Sequence, residues 1–227
     1  MAEEISKSQI DRLGDRLKKG NISEDDLRML DRYRRSYSEA YESVVEKIRK
    51  DLSLSPTGRP AKSTTSITEK LRRESIRLTQ IQDIAGCRII VADITSQDEV
   101  VKSLSGLFED ITIIDRRQQP SHGYRAVHVV VKHDRKLIEV QVRTALQQLW
   151  AELSEKFSDI FDPMVKYGGG DEFTRTVLTN QSSIIATEEL LETQVDLNLR
   201  EELDLVRLRM LESLRDTLNN IEMLRKQ

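Results

Sequence analysis

The chain has 227 residues, 37% hydrophobic and 33% charged, which suits one globular domain with helical extensions and excludes a disordered protein. A formal net charge of −3 argues against a surface that coats nucleic acid, and the single cysteine, Cys87, excludes a disulfide framework and a cysteine metal cluster. Cys87 lies in an apolar run and is predicted to be a small buried hydrophobe. Because no apolar run approaches the ~20 residues of a spanning helix, and the first residues lack the apolar segment of a signal peptide, we expect a cytoplasmic protein without membrane contact.

The N-terminal part of the chain is predicted to be helical. A short helix is expected before Asn21, and Ser23 begins a capped amphipathic helix that ends near Leu52, because apolar residues recur at spacings of three, four and seven. Residues 53–66 contain Pro, Gly, Ser and Thr without periodicity, which predicts a loop. A further helix is predicted over SITEKLRRESIRL, from Ser66 to Leu78.

The middle of the chain is predicted to form a sheet. Four segments have the composition of strands: GCRIIVADI, DITIIDRR, RAVHVVVKH and KLIEVQVRT. The segment SQDEVVKSLSGLF between the first two has helical spacing, and a tight polar turn around Asp134 joins the last two. Helical spacing returns in ALQQLWAELSEKFSDIF, and a loop over 162–172 separates it from two final helices near 172–193 and 198–225.

These elements predict an α+β fold, with a mixed β-sheet of four to five strands flanked by α-helices and with N- and C-terminal helical extensions. We expect N-terminal helices over 1–52 and a core over 53–165. A flexible loop and C-terminal helices that pack on the core or on a partner are expected over 166–227.

The strand KLIEVQVRT carries a polar row. Its side chains alternate between faces, so Glu139, Gln141 and Arg143 share one side. A tight hairpin could place Tyr124 and His128 of the preceding segment beside them. Such a face fits a phosphorylated ligand and a metal; an ordinary solvated sheet face is the alternative.

Two carboxylates, Asp83 and Glu139, stand out because Mg²⁺ prefers one or two carboxylates together with phosphate oxygens. A turn residue is the structural alternative for Asp83, and spacing does not decide between the two.

The basic segment GRPAKSTTSITEKLRRE could clamp a triphosphate or form a solvated helix face. Ser66 and Lys70 are four residues apart and therefore share a face of the predicted helix. The segment lacks the GxxxxGK[ST] pattern of a Walker loop.

Four blocks, KSTTSITEKL, DIAGCRI, HGYRAVH and EVQVRT followed by LWAEL, resemble in this order the synthetase domain of the RelA/SpoT family, the alarmone synthetases. The resemblance implies a nucleotidyltransferase-like domain that transfers the β,γ-pyrophosphate of ATP to a nucleotide 3′-hydroxyl. The acceptor is usually GDP or GTP, and the products are ppGpp or pppGpp. Small single-domain synthetases are the members that the chain is most similar to.

The resemblance also implies roles for individual residues. Asp83 would be a Mg²⁺ ligand, and Glu139 would either join the metal or accept the proton of the attacking hydroxyl; both would be catalytic. ATP would be bound by Arg59, Lys62, Ser66, Lys70 and Arg73. The acceptor would be bound by His122, Tyr124, His128, Gln141 and Arg143, with Tyr124 stacking on its base.

The acceptor side departs from the family pattern, because His122 stands where an Asn is common and because SEKFSDIFDPMVKYGGGDE, with the glycine run Gly168 to Gly170, replaces the usual ending after LWAEL. These variants are compatible with a branch of toxins, neutralised by antitoxin partners, that pyrophosphorylate the 3′ CCA end of tRNA. Basic residues that could meet an RNA backbone, or be solvated, are Arg32, Arg34, Arg35, Arg116 and Arg117.

A third hypothesis is a catalytically idle assembly module. The last predicted helix has an apolar stripe that could be core, form a homo-oligomer seam or dock an antitoxin, made of Val206, Met210, Leu214, Leu218 and Ile221. Retention of both Asp83 and Glu139 favours an enzyme, since a binding module has no chemical need for either carboxylate.

Overall fold

The structure is a computed structural model that describes residues 5–194 and 197–225, with side chains for 5–191, 205–217, 219 and 223. Its helices are α1 Lys7–Lys19, α2 Glu24–Arg35, α3 Ser38–Leu52, α4 Thr64–Arg73, α5 Ile94–Leu107, α6 Ala145–Ile160, α7 Glu172–Gln194 and α8 Leu197–Arg225. Its strands are β1 Thr57–Arg59, β2 Ala85–Val91, β3 Ile111–Asp115, β4 Val127–His133 and β5 Lys136–Thr144. The strands form one mixed sheet in the order β1-β2-β5-β4-β3, which confirms the predicted α+β fold.

The chain divides into two compact units. The first contains the chain up to Ile89 together with Leu104–Thr112 and Val129–Gln141. The second contains Ile90–Ser103, Ile113–His128 and the chain from Val142 onward. The division therefore passes through β2, α5, β3, β4 and β5.

The N-terminal helices of the first unit form a small core. Helix α1 packs on α2, on α4 and on a 3₁₀ turn over Leu78–Gln80. Leu13 and Leu17 of α1 are fully buried, as is Leu78. Gly14 allows this close contact, because a Cβ at its position would lie 2.8 Å from the Cβ of Leu78.

The prediction of one helix from Ser23 to Leu52 is wrong, because a turn at Ser36 and Tyr37 separates α2 from α3. The Ser36 hydroxyl donates a 2.6 Å hydrogen bond to the Tyr33 carbonyl, and the Tyr37 hydroxyl lies 2.9 Å from that of Tyr33. Serine side chains that bond to nearby carbonyls compete with the helical ladder, and the apolar spacing continues across the break.

The prediction of a loop over residues 53–66 is wrong in two places. Strand β1 pairs antiparallel with β2, with Thr57 opposite Arg88 and Arg59 opposite Gly86. Helix α4 begins at Thr64, where the Ser63 side chain accepts the Ser66 N–H, and it ends at Arg73 rather than at Leu78. All three residues of β1 are exposed, so the strand leaves no alternation of apolar residues to detect.

Two other features of the first unit match their predictions. Cys87 on β2 is buried, and burial raises the pKa of its thiol to about 12, which suits a small core residue rather than a nucleophile. The turn between β4 and β5 is two residues long, with φ of 46° at Asp134 and 65° at Arg135. Positive φ at both central positions is what a type I′ hairpin turn requires.

The second unit has a core built on α6, which packs against α7 and α8. Trp150 is 4% exposed, and its indole N–H donates to the Leu178 carbonyl of α7 at 2.8 Å. Of the predicted stripe on α8, Leu214 is buried in this core, Met210 packs against it, and Val206 is exposed. The side chains of Leu218 and Ile221 lie outside the described residues. Within the part of the chain that the structure describes, no helix combines the length and apolar character needed to cross a bilayer.

A buried carboxylate, Glu189 of α7, joins the end of β5 to the start of α6. It accepts hydrogen bonds from the Thr144 hydroxyl at 2.6 Å and the Gln147 amide at 3.0 Å. Burial raises the pKa of Glu189, and these hydrogen bonds, with Arg207 and Arg125, offset part of that effect. The carboxyl of Glu189 loses its proton at lower pH in the unfolded chain than in the folded protein. The contribution of Glu189 to stability therefore falls as pH rises from its unfolded-state pKa to its folded-state pKa.

We therefore expect the Glu189→Gln protein to gain stability relative to wild type as pH rises from 4 to 8. The gain should be about 1.4 kcal/mol of unfolding free energy for each unit by which the folded-state pKa is raised. Urea unfolding across this pH range measures it, with the exposed Glu212→Gln as the control. A constant difference between variant and wild type at all pH values would contradict the prediction.

Candidate functional site

The first unit brings two lysines onto one carboxylate. Lys62, just before α4, places its ammonium 2.6 Å from Oδ2 of Asp83, and Lys70, inside α4, places its ammonium 2.9 Å from Oδ1. The Lys62 backbone N–H donates to the Ile84 carbonyl at 2.6 Å, which holds this loop beside the turn that leads into β2. We call Lys62, Lys70 and Asp83 the lysine–aspartate cluster.

Electrostatics keep Asp83 ionised. Burial alone would raise the pKa of its carboxyl, but the charges and hydrogen bonds of Lys62 and Lys70 outweigh burial and lower the pKa to about 2. The three side chains are between 16% and 22% exposed, so solvent still reaches them. A phosphate chain could therefore reach the two ammonium groups and replace the carboxylate of Asp83 as their partner.

Arg34 of α2 supports this cluster, although its role was not predicted from the sequence. Its guanidinium Nε donates a 2.7 Å hydrogen bond to the carbonyl oxygen of Lys62. The residues are 28 apart in the chain, so no local pattern connects them. Arg34 therefore acts as a positioning residue for the loop that carries Lys62.

The other predicted ATP ligands occupy different environments. Arg59 is exposed on β1, and the Arg73 guanidinium pairs with Glu74 at 3.0 Å. The Ser66 hydroxyl is 2.8 Å from that of Ser63, the residue that caps α4. Ser66 thus takes part in the start of the helix that carries Lys70.

Glu139 and Gln141 lie together on β5. The Gln141 amide donates to Oε2 of Glu139 at 2.6 Å, and both residues are partly buried. Strands β2 and β5 approach closely at Gly86, where a Cβ would lie 2.7 Å from the Glu139 carbonyl oxygen. The bond from Gln141 orients the second predicted carboxylate.

A second group of predicted residues meets in the second unit. Arg143 donates through Nη2 to the Tyr124 hydroxyl at 2.8 Å, and the same hydroxyl lies 2.9 Å from Nε2 of His128. The Arg143 guanidinium also lies over the Tyr124 ring, 5.0 Å from its centroid, and donates to the Gln148 side chain at 2.9 Å. We call Tyr124, His128 and Arg143 the tyrosine cluster.

The turn before Tyr124 explains the HGY sequence. Ser121 and Tyr124 exchange backbone hydrogen bonds of 3.2 and 2.9 Å, and His122 and Gly123 between them have φ of 54° and 89°. A Cβ at Gly123 would lie 2.7 Å from the Trp150 ring, so glycine is needed for both its conformation and its space.

His122, a further predicted acceptor ligand, is exposed and contacts the loop before α7. Its imidazole packs against Gly168 and lines a cavity of about 420 Å³ beside α7. Gly168, in the segment predicted to be a flexible loop, therefore makes a specific contact, since a Cβ at its position would overlap the His122 ring.

Two of the arginines considered for RNA contact, Arg117 and Arg34, are partly buried and make contacts within the protein. Arg117 bonds to Asp115 at 2.6 Å and to Asp98 at 2.7 Å. Burial alone would raise the pKa of Asp115, but the hydrogen bonds and charge of Arg117 outweigh it and lower the pKa. Arg34 is committed to the Lys62 carbonyl. Arg35 pairs with Asp31 at 2.8 Å while staying exposed. These contacts within the protein leave RNA contact by the arginines a prediction.

The carboxylate ligands at this site suit a magnesium ion that is also bound by the phosphates of a nucleotide. Asp83 is an ionised oxygen donor, and Glu139 offers a second carboxylate. Among the described residues, no group of three or more His, Cys, Asp and Glu side chains could enclose a metal by itself. Mg²⁺ is commonly held by one or two carboxylates together with substrate phosphates, and these residues fit that pattern.

Comparison with known proteins gives sequence relatives for part of the chain. Residues 58–158 match the family described as "Region found in RelA / SpoT proteins". An uncharacterized protein of Mycobacterium bovis is 38% identical over 112 residues, which are 47% of this chain and 41% of that protein. The guanosine-3′,5′-bis(diphosphate) 3′-pyrophosphohydrolase of Aquifex aeolicus is 32% identical over 132 residues, which are 55% of this chain and 18% of the enzyme. The chain thus matches less than half the length of either relative.

Solved structures resemble more of the chain. Small alarmone synthetase 1 of Bacillus subtilis superposes with a TM-score of 0.54 and 26% identity over 81% of this chain and 98% of that one. The same synthetase bound to its product pppGpp gives a TM-score of 0.56 and 23% identity over 80% of this chain and 100% of that one. Residues 58–158 therefore match the region found in RelA/SpoT proteins, and the chain has the fold of the small alarmone synthetases.

Proposed function

We propose that the protein transfers the β,γ-pyrophosphate of ATP to the 3′-hydroxyl of GDP or GTP. The observation that carries this proposal is the lysine–aspartate cluster, in which two ammonium groups converge on one ionised carboxylate. The family match supports it, as does the fold shared with a synthetase whose product is pppGpp.

On the donor side, ATP would take the place of Asp83 as the partner of the two lysines. Lys62 and Lys70 would then neutralise phosphate charge, which is the main demand of phosphoryl transfer. Once the two lysines bind phosphate instead of Asp83, the oxygens of Asp83 would be available to hold Mg²⁺, with Glu139 as the second carboxylate. A bound Mg²⁺ would neutralise further charge on the phosphates and orient them.

On the acceptor side, we assign GDP or GTP to the tyrosine cluster. The 3′-oxygen forms a bond to the β-phosphorus of ATP, the bond from that phosphorus to the α,β-bridging oxygen breaks, and AMP leaves. Glu139 receives the hydroxyl proton, and Gln141 holds the carboxylate in place. Arg143 and His128 orient the acceptor through the Tyr124 hydroxyl.

Replacing Arg34 by Ala is expected to raise the KM for ATP about tenfold, with a smaller change in kcat. The change leaves the Lys62 carbonyl without its guanidinium donor, and a lost charged hydrogen bond costs about 1.5 kcal/mol. Initial rates at varied ATP and fixed GTP measure it.

The neighbouring Arg35→Ala is the matched control, because Arg35 is an exposed arginine paired with Asp31. It should leave the KM for ATP unchanged. Equal effects of the two substitutions would show that Arg34 does not act through Lys62.

The proposed activity is tested by one incubation with ATP labelled on the γ-phosphate, with GDP, GTP and total tRNA offered in separate reactions. Label in a guanosine nucleotide, together with release of AMP, is the expected result. Label in tRNA alone would replace the acceptor and support the toxin hypothesis. Label in no acceptor would overturn the proposal and favour the idle module.

A further inference from the structure

Helix α7 lies outside the residues that match the RelA/SpoT region, yet its inner face bonds to the segment that carries Tyr124. The Ser182 hydroxyl donates a 2.6 Å hydrogen bond to the Gly123 carbonyl and accepts one of 3.1 Å from Nε of Arg125. Ser182 is 3% exposed. One buried hydroxyl therefore holds the chain on both sides of Tyr124, from an element that was predicted only to pack on the core or on a partner.

The turn that Ser182 holds has an unfavourable backbone conformation. His122 and Gly123 have φ of 54° and 89°, and a left-handed conformation at a residue other than glycine costs free energy that surrounding contacts must offset. Two backbone hydrogen bonds between Ser121 and Tyr124 close the turn from within. The bond from Ser182 adds to them from outside, so the conformation of the turn depends in part on α7.

Arg125 extends this contact to the loop after β3. Its Nη1 donates to the Arg117 carbonyl, and Nη1 of Arg117 donates in turn to Oε1 of Gln97 in α5 at 3.3 Å. The Gln97 side chain is fully buried and donates at 2.7 Å to the carbonyl of Val142, the residue before Arg143 on β5. The contact therefore continues through side chains to the strand that carries Arg143.

A second position of α7 closes this network. Glu189, seven residues after Ser182 on the same face of the helix, accepts the bonds from the end of β5 and the start of α6 described above. Gln147 of α6 also accepts a 2.9 Å hydrogen bond from Gln97. Two positions of α7 thus bond to the two chain segments that form the tyrosine cluster.

We propose that Ser182 is a positioning residue for the acceptor nucleotide, because it holds the turn before Tyr124 in the conformation that binds the acceptor. This inference rests on the assignment of GDP or GTP to the tyrosine cluster in the proposed function. If the turn relaxes, only the fraction of molecules that keeps the binding conformation takes up the acceptor, and the apparent affinity falls by that fraction. The rate at saturating acceptor stays the same.

Replacing Ser182 by Ala is expected to raise the KM for GTP about tenfold, with kcat and the KM for ATP nearly unchanged. The change removes a buried hydroxyl that bonds to a carbonyl and to a guanidinium, and loss of a hydrogen bond to a charged group has an effect of this size. A purely structural role would instead lower the fraction of folded enzyme, and therefore the apparent kcat, at unchanged KM.

Ser183→Ala is the matched control, because Ser183 is the next residue of the same helix, is exposed, and bonds to the Thr179 carbonyl within the helix. It should keep the wild-type constants. An equal KM for GTP in the Ser182→Ala and Ser183→Ala proteins would overturn the inference.

Hydrogen–deuterium exchange of the full chain without nucleotides tests the turn independently of turnover. The Tyr124 amide donates to the Ser121 carbonyl at 2.9 Å, so a peptide spanning 119–126 reports on the turn. Exchange of this amide should be about tenfold faster in the Ser182→Ala protein than in wild type or Ser183→Ala, while a peptide from β2 exchanges equally in all three. Equal exchange of the 119–126 peptide in the three proteins would also overturn the inference.

These outcomes separate the inference from the proposed function. Transfer by the wild-type protein, with an equal KM for GTP in the two serine variants, would overturn the role of Ser182 alone. Failure of the wild-type protein to transfer label to GDP or GTP would overturn the proposed function and, with it, the acceptor role of Ser182.

Discussion

Replacing Glu139 by Gln is expected to reduce pyrophosphate transfer about a thousandfold while the protein stays folded. The amide keeps the size of the side chain and an oxygen that accepts the hydrogen bond from Gln141, but it neither accepts a proton at neutral pH nor binds Mg²⁺ well. Removing a general base typically costs ~10² to 10⁴ in rate. The loss should therefore appear in kcat more than in the KM of either substrate.

Single-turnover transfer from γ-labelled ATP measures this loss, and the midpoint of thermal unfolding checks the fold. The exposed Glu46→Gln on α3 serves as the matched control and should keep the wild-type rate. An undiminished rate in the Glu139→Gln protein would show that the proposed mechanism is wrong.

Replacing Tyr124 by Ala is expected to raise the KM for the acceptor at least tenfold and to leave the KM for ATP nearly unchanged. Loss of a base-stacking aromatic costs about 1 to 3 kcal/mol per base. Replacing Tyr124 by Phe keeps the ring and removes the hydroxyl that joins Arg143 to His128. The Phe variant should lose about 1 to 2 kcal/mol of unfolding free energy, because the buried Arg143 loses an acceptor, with a smaller change in acceptor KM.

Steady-state kinetics with varied GTP, together with urea unfolding, separate the two contributions of Tyr124. If the Phe variant raised the acceptor KM as much as the Ala variant, the hydroxyl network rather than the ring would hold the acceptor. If neither variant changed it, the tyrosine cluster would not be the acceptor site.

Local regularities made most elements predictable. Strands β2 to β5 carry β-branched runs bounded by polar residues, and the α6 segment has clear helical spacing. Strand β1 and the break at Ser36 were missed for opposite reasons. The exposed strand β1 has no apolar alternation, whereas the apolar spacing of α2 and α3 continues through the break.

For the candidate site, the sequence indicated the residues but not most of their contacts. Motif blocks in the sequence indicated Lys62, Lys70, Asp83, Tyr124, Arg143 and Glu139 as residues of interest. Their partners were not predictable, because Arg34 meets Lys62 across 28 residues and Gln148 meets Arg143 from a different element. The pairing of Arg117 with Asp98 and Asp115 was likewise not predicted.

The sequence by itself determined the element types, the α+β class and the family of the central domain, because periodicity and ordered motifs are local properties of the chain. Only the tertiary structure decided which further groups meet: two lysines on Asp83, Arg34 on Lys62, and His122 on Gly168 beside α7. These contacts depend on backbone paths and on left-handed turns at His122 and Gly123, and no spacing along the chain encodes such distances.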